Sequence, residues 1–228
     1  MKLLAIDTTT RFLCLGIHDN GKNYELCLET GHRLSSLLAV TIQRTLEALD
    51  LRVSDMDYFA CGLGPGSFTG IRVGVAAIKG LSLALKKPVV AIPTLDLLAM
   101  NASAHKGNIV AAVDAKRSLI YCGFYRNGPG GMKRVAPYML LSPEAFCKKV
   151  LPGSFVLGDA TALYKEDMLK RIRSVNLMDS SLWYPACDKL ITLALEKIKN
   201  RKLEDAFSIN PIYLYPKECQ IKKVKGKR

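Results

Sequence analysis

Two short stretches hold residue types that can do phosphate or anion chemistry. The first is Asp7-Thr8-Thr9-Thr10, a carboxylate followed by three hydroxyls. A carboxylate can position a metal-bound water while hydroxyls and backbone N–H groups meet phosphate oxygens. The second is Gly62-Leu-Gly-Pro-Gly-Ser-Phe-Thr-Gly-Ile-Arg-Val-Gly74, which holds five glycines. It lies between a strand end at 56–61 and a helical stretch at 71–85. Glycines at such a turn let backbone N–H groups approach an anion at a helix N-terminus. Asp7, Thr8, Thr9, Gly64, Gly66, Ser67 and Arg72 are therefore the candidate anion- or nucleotide-facing residues. Other chemistries lack their residues. No Gly-Lys-Ser/Thr closes the loop, so it is not a Walker A loop. His18, His32 and His105 are far apart without the i, i+4 spacing of a metal site, and a metalloprotease reading finds no ligands. The seven cysteines are scattered, odd in number and without a C-x-x-C pair, so most of them read as buried free thiols.

These residues need elements to hold them. Strands are expected at 2–7, 12–18, 22–29, 56–61 and 88–92, and helices at 33–49, 70–86 and 94–103. Further on, strands are expected at 109–114, 119–125, near 133–140 and at 155–158. A helix opens at Ser142-Pro143-Glu144 and another covers 187–200, with an extended end at 209–215. Helix 33–49 aligns Leu34, Leu38, Ile42 and Leu49 on one stripe with Leu37 beside it. Helix 70–86 aligns Gly70, Gly74, Ala77 and Leu81. Either stripe serves the lobe's own sheet or a partner chain.

Residues 5–21 and 112–128 align without a gap at an offset of 107, matching Ala, Asp, Gly, Asn and Gly. The repeat is too long for a solenoid. It predicts two lobes of like topology, 1–103 and 104–216, followed by a basic tail at 217–228. Asp114-Ala115-Lys116-Arg117 then stands where Asp7-Thr-Thr-Thr10 stands, with cations replacing hydroxyls. Gly158-Asp159 is the closest feature to an adenosine-binding turn. The duplication resembles the actin–sugar kinase–Hsp70 superfamily: an α/β fold of two ribonuclease H-like lobes, the actin-like ATPase plan.

The formal net charge is +13, part of it in the tail. Lys222, Lys223, Lys225, Lys227 and Arg228 suit a polyanion, and tRNA is one candidate. No run of apolar residues reads as a membrane span, and the short apolar start is not a signal-peptide core, so a cytoplasmic protein is expected.

The glycine run resembles the signature of the TsaB (YeaZ) family. Leu4-Ala-Ile-Asp-Thr8, His32 with Ser35, Val113-Asp-Ala-Lys-Arg117 and Pro211-Ile-Tyr-Leu214 follow the family in order. The resemblance implies a non-catalytic subunit in threonylcarbamoyl-adenosine modification of tRNA. It implies pairing with a TsaD-type catalytic relative, which acts on N6 of adenosine 37, and a TsaE-type ATPase as third member. It implies no cofactor of its own, with ATP or ADP bound by the assembled complex. That relative carries a His-x-x-x-His motif, whereas 92–100 here holds no His. The expected partner face is Leu34, Leu37, Leu38, Ile42, Leu49, Gly70, Gly74, Ala77 and Leu81. A two-fold homodimer stays open for the chain alone. The competing readings are a free-standing phosphotransferase using Asp7 and a plain RNA-binding module using the tail.

Overall fold

The computed structural model describes residues 1–215. The tail residues Lys222, Lys223, Lys225, Lys227 and Arg228 lie outside the described residues. The elements run β1 (Lys2–Asp7), β2 (Phe12–Asp19), β3 (Lys22–Glu29), α1 (Leu34–Glu47), β4 (Tyr58–Gly62), α2 (Phe68–Leu85), β5 (Val89–Ile92) and α3 (Thr94–Met100). The second half runs β6 (Gly107–Lys116), β7 (Leu119–Gly128), β8 (Gly131–Arg134), β9 (Met139–Leu141), α4 (Pro143–Lys149), β10 (Phe155–Leu157), α5 (Ala160–Arg171), β11 (Asn176–Leu177) and α6 (Cys187–Lys199).

The duplication is visible in the sheets. The first has the order β3-β2-β1-β4-β5, and the second reads β8-β7-β6-β10-β11 from the matching edge. In each, the opening hairpin is antiparallel (β1–β2, β6–β7) and its first strand is parallel to the strand after the next helix. β1 is buried on both faces because helices cover both. β3, at the edge, alternates instead: Tyr24, Leu26 and Leu28 are half-buried while Glu25 and Glu29 face out.

The layers settle which faces the helix stripes serve. Leu34, Leu38, Ile42 and Leu46 of α1, with Ile71, Val75 and Ile78 of α2, share one core with β1 and β2. Gly70 and Gly74 are also buried against the β1–β2 turn. The expected partner face is corrected here: Leu34, Leu38, Ile42, Gly70 and Gly74 point into their own lobe. Ala77, Leu81 and Leu49 are only partly buried against that core, and Leu37 is half-exposed. A charge at Leu38 or Ile42 therefore attacks the fold before any interface. Leu38 is 3% exposed, so Leu38→Ala should cost about 2–5 kcal/mol, read as a lowered urea midpoint at unchanged slope.

The two halves also exchange helices. α3, from the first half, packs on β6 and β7, with Leu95, Leu98 and Ala99 in the second sheet's core. α6, from the second half, covers the other face of the first sheet through Cys187, Leu190 and Ala194. The division at 103/104 thus separates the sheets and not the helices. α4 and α5 close the second sheet's outer face. The strand expected at 133–140 is two short strands, broken around Pro137.

Among the described residues, one helix is long and apolar enough to cross a membrane by length and composition alone. It is α2, with a mean hydropathy of 1.4, where the sequence reading expected no such span. Its inner side is core, yet only 33% of it is buried.

Candidate functional site

The β1–β2 turn and the glycine loop close on each other. Asp7 ends β1 with its carboxylate fully engaged. Oδ1 accepts from the Thr9 backbone N–H at 2.9 Å and from the Thr9 hydroxyl at 2.7 Å. Oδ2 accepts from the Thr94 hydroxyl at 3.1 Å, and that hydroxyl oxygen in turn accepts the Gly64 N–H at 3.1 Å. The Thr8 hydroxyl donates to the Gly70 carbonyl at 2.8 Å. Ser67 caps α2 through the Gly70 N–H, and its own N–H donates to the Thr9 carbonyl at 2.7 Å.

The glycines make this closure possible. A Cβ at Gly62 would overlap Asp7 Oδ2, and one at Gly70 would overlap the Thr8 carbonyl. Gly66 and Gly74 meet Thr9 and Thr8 in the same way. The four recur every fourth residue, so one side of the loop and helix is bare where the hairpin presses on it. This corrects the anion-facing assignment for Asp7, Thr8 and Gly64. Asp7, Thr8 and Thr9 are each 1% exposed, and Gly64 is buried. Their polar atoms hold the hairpin against α2. Of the candidates, Thr9, Gly66 and Ser67 line the cleft between the lobes. Arg72 is exposed on α2, where its guanidinium lies 4.0 Å over the Phe68 ring and its Nε donates to the Tyr213 hydroxyl at 3.1 Å.

Burial pushes the Asp7 carboxyl above its ordinary value of 3.8, against the pull of the Thr9 and Thr94 hydrogen bonds. A folded-state value above the unfolded one gives a stabilising term that is complete below 3.8 and lost as pH rises through the folded value. Asp7→Asn removes that term. The stability of wild type relative to Asp7→Asn should therefore fall from acid to neutral pH, measured by urea unfolding of both proteins across that range.

The cleft between the lobes has a volume of about 910 Å³. Arg11 and Arg117 bring positive charge to it, and Trp183, Tyr184, Tyr213 and Tyr215 bring aromatic surface. The second lobe's turn is its far wall. Lys116, Arg117 and Ser118 are consecutive left-handed residues, with φ of 63°, 53° and 56°. The Tyr215 hydroxyl donates to the Ala115 carbonyl at 2.9 Å and reaches that of Lys116 at 3.2 Å. Lys116 Nζ is paired with Asp114 Oδ2 at 2.6 Å. Asp159 accepts the Asp114 N–H at 2.8 Å, and burial raises its carboxyl. Gly158 follows β10 as Gly62 ends β4, and a Cβ there would overlap the Ala112 carbonyl. Gly158, with φ of 113°, and Asp159 thus form the turn between β10 and α5, packed closely on the backbone of β6. Sequence reasoning missed Tyr213, Tyr215 and Trp183, because nothing local places 183 and 213–215 beside the turns.

Among the described residues, no group of three or more His, Cys, Asp or Glu side chains is placed to hold a metal ion.

Known proteins match this arrangement. The family model described as "TsaD: tRNA N6-adenosine threonylcarbamoyltransferase" matches residues 29–183. The tRNA threonylcarbamoyladenosine biosynthesis protein TsaB of Escherichia coli (strain K12) is 27% identical over 224 residues, 94% of each chain. TsaB of Bacillus subtilis (strain 168) is 28% identical over 236 residues, 100% of each. The solved YeaZ from Pseudomonas aeruginosa superposes with a TM-score of 0.81 at 27% identity, over 93% of this chain and 99% of that one. A Bacteroides thetaiotaomicron protein with actin-like ATPase fold and unknown function gives a TM-score of 0.50 at 8% identity, over 84% of this chain and 95% of that one, a likeness of fold alone. With more than half its length under that family model, full-length likeness to TsaB chains and the same two-sheet architecture as YeaZ, the chain belongs to the TsaB (YeaZ) family.

Proposed function

We propose that this chain serves tRNA threonylcarbamoyladenosine biosynthesis as a subunit without an active site of its own, by pairing with a TsaD-type catalytic chain through α2. The observation that carries the reading is the uncovered side of α2. The helix has the hydropathy of a buried element, yet two thirds of it is not buried. Phe68 and Leu83 are 45% and 48% exposed, and Ala76, Gly80 and Ala84 lie open beside them. α1, which touches α2, adds Leu37 and Val40. Small residues along a helix let a second helix approach closely, and large ones at its ends supply anchors. A surface of this kind on a helix pair fits a partner's helix pair. The chain's own match to the TsaD family model means that a TsaD-type chain offers one of the same fold.

The packed hairpin supports the non-catalytic half of the proposal. A phosphotransferase needs Asp7 open to a metal-bound phosphate, and here both carboxylate oxygens are occupied inside the lobe. On this reading ATP or ADP is held by the assembled complex, with a TsaE-type ATPase as its third member. tRNA is met through that complex, in the cytoplasm.

The test is to mix the purified chain with the TsaD-type protein of the same genome and measure mass during size exclusion. A species of one copy of each is expected, with no ATP turnover by this chain alone. Absence of a complex together with magnesium-dependent ATP hydrolysis by the isolated chain overturns the reading and promotes the phosphotransferase.

A further inference from the structure

Two cysteines that are 173 residues apart in sequence meet where the halves of the chain exchange helices. Cys14 lies on β2 and Cys187 is the first residue of α6. Their sulfurs are 2.8 Å apart. A disulfide bond of roughly 2.05 Å needs under ~1 Å of further closure. Cys27 is the strand partner of Cys14 on β3 and is exposed. Cys27 and Cys187 both line a second cavity of about 710 Å³, which gives a small molecule a route to the Cys187 sulfur.

We infer that Cys14 and Cys187 form a reversible disulfide that pins α6 to the first sheet. The reaction needs an oxidant, and a low-molecular-weight disulfide supplies it. The Cys187 thiolate attacks one sulfur of that molecule, forming a mixed disulfide and releasing one small thiol. Cys14, as thiolate, then attacks the Cys187 sulfur and releases the second. The two protons lost by the protein leave on the two small thiols, and both protein sulfurs are oxidised as the small disulfide is reduced.

The surroundings suit this order of attack. Cys187 opens α6, where the helix N-terminus favours a thiolate. The contact with Cys14 holds it below the ordinary thiol value, while the same contact and burial push Cys14 up. Cys187 lines the cavity and attacks first, and Cys14, buried on β2 and away from that cavity, resolves from inside. The bond would close a long loop, which restricts the unfolded chain. It would also fix the segment before α6. Trp183 and Tyr184 line both this cavity and the cleft between the lobes, so the cleft's aromatic wall is tied to the redox state of the pair.

The experiment oxidises the full chain with oxidised glutathione, blocks free thiols, digests with trypsin without reduction and maps the products by mass. The three thiols fall in separate peptides: 12–22 for Cys14, 23–33 for Cys27 and 174–189 for Cys187. The expected product joins 12–22 to 174–189 with the loss of two hydrogens, is reversed by reductant and raises the melting temperature. It should persist in Cys27→Ser and vanish in Cys187→Ser. Cross-links that join 23–33 in place of 12–22, or glutathione adducts that never resolve, overturn the inference. The wild-type map decides this even if a variant fails to fold.

Discussion

Gly70→Ala will lower the stability of the chain by about 3 kcal/mol, whereas Gly80→Ala, ten positions along the same helix, will raise it by about 0.5–1 kcal/mol. Gly80 lies in the interior of α2 and gains the full helical propensity of alanine, whereas Gly70 is the third residue of the helix, in its first turn, and gains less. The larger difference is the neighbour. At Gly80 nothing lies within 4 Å of the new methyl group. At Gly70 the methyl overlaps the Thr8 carbonyl, which is backbone and cannot swing aside. Either α2 or the β1–β2 turn must move. Any such movement strains the Thr8 hydroxyl bond to Gly70 and the Ser67 N–H bond to Thr9. The steric and hydrogen-bond terms thus act together. Urea midpoints of the two variants and wild type measure both effects, and equal shifts of one sign would show that the glycine run does not hold the hairpin shut.

The run is conspicuous in sequence, and its spacing suits a ligand cradle. Glycines at every fourth position make a bare face, and a bare face accommodates a phosphate or another piece of the same protein equally well. What decides is Asp7: its oxygens are satisfied by Thr9 and Thr94, and Thr94 lies 87 residues away where no local pattern could place it. Elsewhere local pattern was enough. The hairpin β1–β2, the continuation into β3, and helices α1 and α2 follow from alternation, Asn-Gly turns and apolar periodicity. The duplication was legible because Asp7 at the end of β1 and Asp114 near the end of β6 hold equivalent places. α5 was not: its residues are mostly polar, only Ala160, Thr161 and Met168 are buried, and its course is kinked at Tyr164. The apolar stripe of α6 was legible, but periodicity names a buried face without naming what buries it. The same ambiguity made the Leu34–Leu38–Ile42 stripe of α1 look like a partner surface, when a helix over a fully buried sheet must spend its most apolar side on that sheet.

Moving the partner surface to the outer side of α2 changes which substitutions should separate binding from folding. Ala76→Arg and Leu83→Glu each place a charge on a surface that water already reaches in the free chain. Exposed substitutions of this kind usually change stability within about 0.5 kcal/mol. In a complex through α2 they would bury an unpaired charge between closely approaching helices. Loss of a central contact costs ~2 kcal/mol or more, and an unpaired buried charge adds to that, so affinity for the TsaD-type chain should fall on the order of 100-fold. Leu38→Ala serves as the opposite control. It should lower the urea midpoint, yet the folded fraction should still bind, because Leu38 faces the lobe's own core. Calorimetric titration of the three variants with the TsaD-type protein, beside their melting curves, reads both quantities. Wild-type affinity in Ala76→Arg and Leu83→Glu would place the interface away from α2. Weakened binding only in proportion to unfolding would mean that these positions act through the fold.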